Sequence, residues 1–197
     1  MTGEPLGTGF FARSVHDVAR ELIGCTLIHG DCGGVVVETE SYERDDPACH
    51  AYVGRTARNE VLFGPPGRAY VYLSYGIHSL LNAVAEPDGQ AAAVLIRALR
   101  PTVGLEAMRR RRGRVREQEL CSGPGKLTEA LGVGLADNGA DLGLPPFAVL
   151  PPEGEWAEAE VTVGPRIGIT KATENPWRFC AADCRFVSRP WPAQRAA

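Results

Sequence analysis

The segment Val35-Val36-Val37-Glu38-Thr39-Glu40-Ser41-Tyr42 begins as an apolar strand and then sets Glu38, Glu40 and Tyr42 on one face through the two-residue period of β-structure. A carboxylate held where such a strand meets a cleft can orient and deprotonate a water molecule, because partial burial tunes its pKa and its neighbours fix its lone pairs. The same two acids would serve equally as partners for arginines at a sheet edge. A second group lies in Tyr70-Val71-Tyr72-Leu73-Ser74-Tyr75-Gly76, where Tyr70 and Tyr72 share a face and Ser-Tyr-Gly reads as a turn with Tyr75 near its tip. A tyrosine on a rigid hairpin can enter a duplex base stack and fill the gap left by an extruded nucleotide, while another in the adjoining cleft stacks on the extruded base. Alternating strand tyrosines also serve ordinary cross-strand packing. His50 and the run Arg55-Thr56-Ala57-Arg58-Asn59 would add a base contact and two phosphate contacts.

Elements must hold these groups in place, and the length of 197 residues suits one domain spanning the whole chain, with a core from about residue 10 to 190 and short flexible ends. Residues 14–24 predict a helix that opens with a capping-box-like Ser14/Asp17 pair, buries Val15, Val18, Leu22 and Ile23, and closes at Gly24. Strands are predicted at Thr26 to Ile28, Val35 to Tyr42, Ala69 to Leu73 and Val94 to Leu99. Their connections are too short for repeated crossover helices, so the sheet should be antiparallel or mixed. Further helices are expected from about Val103 to Arg112 and from Gly125 to Leu131. After these should come loops over 137–160 with one strand near Phe147 to Leu150, then strands at Arg166 to Thr170 and Arg178 to Ser188.

Composition narrows the function classes. Hydrophobic residues make up 44% and charged residues 23%, which supports a proper core, and 23 glycines with 15 prolines disfavour a helical bundle. No apolar run approaches the roughly 20 residues of a membrane helix, and no basic segment precedes an apolar stretch at the start, so a cytosolic protein without membrane attachment is expected. In that compartment the six cysteines are expected to stay reduced, and Cys180 and Cys184 lack the partners of a zinc site. The net charge of −3 argues against a wholly basic nucleic-acid binder, yet eight arginines stand between Arg97 and Arg116 against the single acid Glu106. That run suits either phosphate contacts or a solvated helix end.

The order of the pieces carries more than any one of them. Glu-Thr-Glu-Ser-Tyr, His50 eight residues after Tyr42, Arg-Asn, Phe-Gly-Pro-Pro-Gly, Tyr-Val-Tyr-x-x-Tyr-Gly-x-His-x-x-x-Asn, Leu-x-Arg-Ala-Leu, Leu-Cys-Ser-Gly-Pro-Gly-Lys-Leu and Arg-Ile-Gly-Ile together resemble the alkyladenine (3-methyladenine) DNA glycosylase family over roughly Phe10 to Ser188. The resemblance implies a single α+β domain with a curved antiparallel sheet flanked by short helices. It also implies a monomer that acts on damaged double-stranded DNA, without metal or cofactor. The expected activity is hydrolysis of the N-glycosidic bond of alkylated or deaminated purines. Carried onto this chain, Glu40 would be the general base, with Arg97 and the carbonyl of Ile167 helping to hold the water. Tyr42 would stack on one face of the flipped base and Tyr72 with His50 on the other, Asn82 would oppose the amino group of guanine, and Tyr75 would be the intercalating wedge. Arg55, Arg58, Ser122, Gly125 and Lys126 would meet phosphate, the last three at a helix N-terminus.

The chain departs from the family pattern in its short acidic loop (Glu43, Asp45, Asp46), in Leu62 where methionine is common, and in Cys180 where an aromatic is common. The first departure bears on which lesions fit. Two rival readings are a lesion-binding module without catalysis and a sugar hydrolase using Glu38 and Glu40. The second fits poorly, because neighbouring same-face residues lie only about 7 Å apart on one strand, whereas such enzymes draw their acids from opposite sides of the substrate.

Overall fold

Short runs of β-branched residues broken by glycine build a sheet, and only brief helices find room between the strands. The computed structural model describes residues 3–113 and 115–190, so Arg114 of the basic run and, of the expected flexible ends, residues 1–2 and 191–197 lie outside the described residues, whereas Leu6 is tied to the Val149 carbonyl at 2.7 Å. Helices α1 (Thr8–Phe11) and α2 (Val15–Glu21) precede strands β1 (Thr26–His29) and β2 (Cys32–Tyr42). A loop with 3₁₀ turns at His50–Val53 and Glu60–Phe63 leads to β3 (Ala69–Ser74), β4 (His78–Ala85) and β5 (Ala92–Val103). Helices α3 (Leu105–Arg112), α4 (Glu117–Leu120) and α5 (Pro124–Leu131) follow, then β6 (Phe147–Leu150), β7 (Val161–Gly164) and β8 (Arg178–Ala181).

All eight strands join one antiparallel sheet in the order β3-β4-β5-β2-β1-β6, with β8 attached to β2 and β7 to β8. The fold is therefore the expected single α+β domain. Strand β2 is its hub: the first part pairs with β1, Glu38 to Glu40 pair with β8, and β5 runs along the other side. Three backbones converge at Gly34, where a Cβ would stand 2.4 Å from the Arg100 carbonyl oxygen, so no side chain fits. Farther along, the register steps from Val36 opposite Leu99 to Glu38 opposite Ala98 and then to Thr39 opposite Ile96. Val37 and Arg97 are thus left without partners across the ladder. Paired irregularities of this kind kink a strand and re-aim its side chains.

The main core lies under α2 and α5. It joins Val15, Val18 and Leu22 to Leu127, Ala130 and Leu131 and to the buried faces of β2 and β5. A smaller cluster of Cys49, Ala51, Leu62, Tyr70, Val84, Ala91 and Ala93 sits beneath the loop between β2 and β3, with Tyr42 and Tyr72 against it.

Several boundaries differ from expectation for local reasons. Ser14 makes no side-chain cap. Glu86 instead takes the Val15 N–H at 2.8 Å, and α2 ends at Glu21. Strand β5 runs on through Pro101 and Thr102, which delays α3 to Leu105 behind Gly104 at φ +72°. Strand β4 was not anticipated, because its continuous burial from Leu80 to Ala85 leaves no alternation to read. The strand expected at Arg166 to Thr170 is not one, since Gly168 turns there at φ +77° and the Ile167 N–H goes to a side chain. Pairing occurs at Val161–Gly164 instead, and β8 stops at Ala181 ahead of Asp183 at φ +53°.

Candidate active site

Glu38 and Glu40 stand in mid-sheet between β5 and β8, not at the sheet edge that an arginine-pairing role suggested. Both are fully buried, and the re-aimed Arg97 bridges them, its Nε 2.7 Å from Glu38 and its Nη1 3.1 Å from Glu40. From there the two acids diverge. Glu38 accepts from Arg178 Nε at 2.8 Å, from the Ser188 N–H at 2.7 Å and from the Ser188 hydroxyl at 2.8 Å. Glu40 accepts from the Tyr42 hydroxyl at 2.8 Å and from the Ile167 N–H at 2.7 Å. The Ile167 contact visible in the structure is thus made by its N–H.

Burial pushes both carboxyls upward. At Glu38 two guanidiniums and the Ser188 N–H outweigh it and hold the group below its ordinary 4.5. At Glu40 burial prevails over Arg97, the Ile167 N–H and the Tyr42 hydroxyl, and nearby Glu38 adds to it, so this carboxyl lies above 4.5. Environments that drive two acids apart distinguish a fixed charge from a proton acceptor. On the opposite face of β2, Thr39 donates to the Ala19 carbonyl at 2.7 Å and the Ser41 hydroxyl lies 2.8 Å from His16 Nδ1, so α2 covers the back of the site.

A cavity of about 960 Å³ lies beside these groups; Glu38 and Glu40 do not line it, but Glu40 is bonded to Arg97, Tyr42 and Ile167, which do. Tyr42, His50, Tyr72, Asn82, Arg97 and Ile167 all line it, so the expected pocket residues are brought together. The His50 ring sits 4.4 Å from that of Tyr72, and its Nδ1 lies 2.9 Å from the Tyr70 hydroxyl, which fixes the imidazole. Burial and the nearby Arg58 hold His50 below its ordinary 6.5. Asn82 is buried on β4 and donates to the Tyr70 carbonyl at 3.0 Å. Tyr75 occupies the tip of the β3–β4 hairpin at φ +51° and is 90% exposed. A tyrosine held in the left-handed region and presented to solvent is a strained, functional-looking placement.

The expected phosphate contacts divide. Arg58, Gly125 and Lys126 line the cavity, and Arg58 donates to the Leu73 carbonyl at 3.2 Å. Arg55 and Ser122 do not line it; Ser122 forms a bridge to Ala98 ahead of α5. The basic run is largely committed to the chain itself: Arg109 pairs with Glu106, Arg111 Nη1 donates to the Ala130 carbonyl at 2.9 Å, and Arg112 pairs with Glu129 at 2.5 Å. Only Arg112 of these reaches the cavity.

Sequence reasoning missed Asp46, Arg166, Arg178, Ser188 and Lys171. Arg166 and Asp46 form a fully buried pair beside Tyr42, and Lys171 lines the cavity, as does Lys126, the chain's other lysine. Arg166 opens the Arg-Ile-Gly-Ile motif, and that was the available signal. Among the described residues no three His, Cys, Asp or Glu side chains converge as a metal site would require, and no helix is long and apolar enough to cross a membrane.

Known proteins resemble this chain over nearly its whole length. A family model described as "Methylpurine-DNA glycosylase (MPG)" matches residues 9–185. The chain is 58% identical over 190 residues to a Rhodopseudomonas palustris (strain ATCC BAA-98 / CGA009) protein, covering 96% of this chain and 91% of that one. It is 54% identical over 191 residues to a Nitrobacter winogradskyi protein (97% and 90% covered) and 52% identical over 189 residues to one from Granulibacter bethesdensis (95% and 88% covered). All three carry the name "Putative 3-methyladenine DNA glycosylase". With a family match over nearly its whole length and relatives of this similarity, the chain belongs to the methylpurine-DNA glycosylase family.

Proposed function

We propose that this protein is a base-excision DNA glycosylase. It flips an alkylated or deaminated purine out of duplex DNA and hydrolyses its N-glycosidic bond, leaving an abasic site. The substrate class is that of 3-methyladenine, 7-methylguanine, hypoxanthine and ethenoadenine. One observation carries the reading: a buried carboxylate, Glu40, raised by its surroundings and bound by Arg97, Tyr42 and the Ile167 N–H, three residues that themselves line an aromatic cavity.

Glu40 accepts the proton of a water whose oxygen bonds the sugar carbon, and the electron pair of the breaking C–N bond passes to the departing base. A ring-alkylated purine is already cationic and leaves as a neutral base, so flipping, stacking and aiming suffice. Tyr42 stacks on one face of the flipped base and His50 with Tyr72 on the other, Asn82 penalises the 2-amino group of guanine without barring the cationic 7-methylguanine, and Tyr75 fills the vacated stack. Arg58, Lys126 and the amides at the start of α5 hold the backbone.

Glu40→Gln keeps shape and hydrogen bonding but cannot take a proton. Single-turnover excision should fall about 100-fold or more while affinity for lesion duplex persists. Glu38→Gln leaves Arg97 and Arg178 undercompensated and should cost about 3–5 kcal/mol of stability, with a smaller loss of excision per folded molecule. Retained excision in Glu40→Gln would refute the assignment. Lesion binding with no base release by the wild-type protein would instead favour the silent lesion-binding reading.

A further inference from the structure

Arg166 is buried and does not line the cavity, but it stacks on the ring of Tyr42, which does. Its guanidinium carbon is 4.5 Å from the centre of the Tyr42 ring and 4.9 Å from that of Trp177. Both side chains of the Arg166–Asp46 pair are wholly shielded from solvent, and the pair is bidentate, with Nη2 3.1 Å from Asp46 Oδ1 and Nη1 on Oδ2. Nη1 also donates to the Ser41 carbonyl at 3.1 Å, and Asp46 Oδ1 accepts the Ala48 N–H at 2.9 Å. Among the described residues the buried carboxylates are Glu38, Glu40 and Asp46, and the buried guanidiniums are Arg97, Arg166 and Arg178. The charges beneath the pocket therefore balance three against three.

We propose that Asp46 is a specificity-determining residue: by neutralising Arg166 behind the Tyr42 ring, it lets a base with a full positive charge stack on the ring's other face. The inference rests on the excision reading above and extends it to the class of base favoured. A lone guanidinium against one face of an aromatic ring draws on the same π-density that would attract a cationic base on the other face. It also repels that base through a medium poorer in water than bulk. A ring-methylated purine nucleotide carries one positive charge into the pocket and keeps it through the transition state, as the charge moves from base to sugar. A hypoxanthine nucleotide carries none. Surplus positive charge at Arg166 thus penalises the first substrate selectively, whereas a loosened scaffold penalises both.

The test compares kcat/KM for 7-methylguanine and for hypoxanthine in otherwise identical duplexes, using the full chain. Asp46→Asn should lower the 7-methylguanine to hypoxanthine ratio by about tenfold or more, the scale of one uncompensated charge across a partly buried site. Arg166→Gln, which leaves the carboxylate alone, should move the ratio the opposite way, and the double variant should return it toward the wild-type value. Unchanged ratios, or ratios shifting in the same direction in both single variants, would reduce the pair to a scaffold and overturn the proposal. If Asp46→Asn does not fold, Arg166→Gln decides alone: a raised ratio supports the proposal and an unraised one overturns it. A wild-type protein that releases neither base would sink the excision reading, and this inference with it, whereas release with unaltered ratios sinks only the inference.

Discussion

Glu38 and Glu40 are chemically identical and two residues apart, yet their surroundings set them on opposite sides of the ordinary carboxylate value. The consequences for pH have opposite signs. The Glu38 carboxyl is depressed, so the stability it contributes is complete above 4.5 and is lost as pH falls through its lower native value. The Glu40 carboxyl is raised, so the fraction able to accept a proton falls off at a pH above 4.5. The acid limb of the single-turnover excision rate should therefore have its midpoint above 4.5, while acid unfolding, followed by circular dichroism, begins below it. An acid limb that coincides with unfolding would show loss of structure and not titration of a base. The pairing of Glu38, Glu40 and Tyr42 on one face was legible from the two-residue period alone. Which acid is tied down was not, because Arg178 and Ser188 arrive from more than a hundred residues away, and nothing local marks them as partners.

At the scale of elements, the site depends on two departures from regular structure. One is the double irregularity between β2 and β5, which frees Arg97 from the ladder and points it at both acids. The other is the three-residue tip of the β3–β4 hairpin, which carries Tyr75 and the 73% exposed Ile77. The exposed Tyr75 side chain contributes little to folding, so Tyr75→Ala should change unfolding free energy by no more than about 0.5 kcal/mol. On the proposed function, excision of every lesion should nevertheless drop about tenfold or more, because a wedge at this position would offset an unstacking cost of a few kcal/mol without reading the base. A panel of single-lesion duplexes checks this, and losses confined to one lesion would remove Tyr75 from that role. The turn was visible in Ser-Tyr-Gly, but β4 behind it was not. A strand buried along most of its length shows no alternation, and a bulge is set by the neighbouring strand.

For the whole molecule, the net charge of −3 hides a division of labour among the basic residues. Arg109 is engaged with Glu106 within α3, and Arg111 and Arg112 tie α3 to α5 through Ala130 and Glu129, whereas Arg58 and Lys126 face the cavity. Composition could count these arginines but could not say which were already paired. Replacing Arg58 or Lys126 by alanine should flatten the slope of log affinity against log salt by about 0.9 each, whereas Arg109→Ala and Arg111→Ala should leave it nearly unchanged. Fluorescence anisotropy over a salt series measures both, and a slope that responds to Arg109 or Arg111 would restore the run to the DNA-contacting surface. The three-way pairing at Glu38 to Glu40, held by β5 on one side and β8 on the other, has a dynamic counterpart. Amide protons there should exchange with solvent only on global opening, while those at the Tyr75 tip should exchange through local fraying, a contrast that native-state hydrogen exchange measures. On the proposed function, a tightly held floor and a more exposed rim would let Tyr75 search a duplex without loosening Glu40 and Arg97.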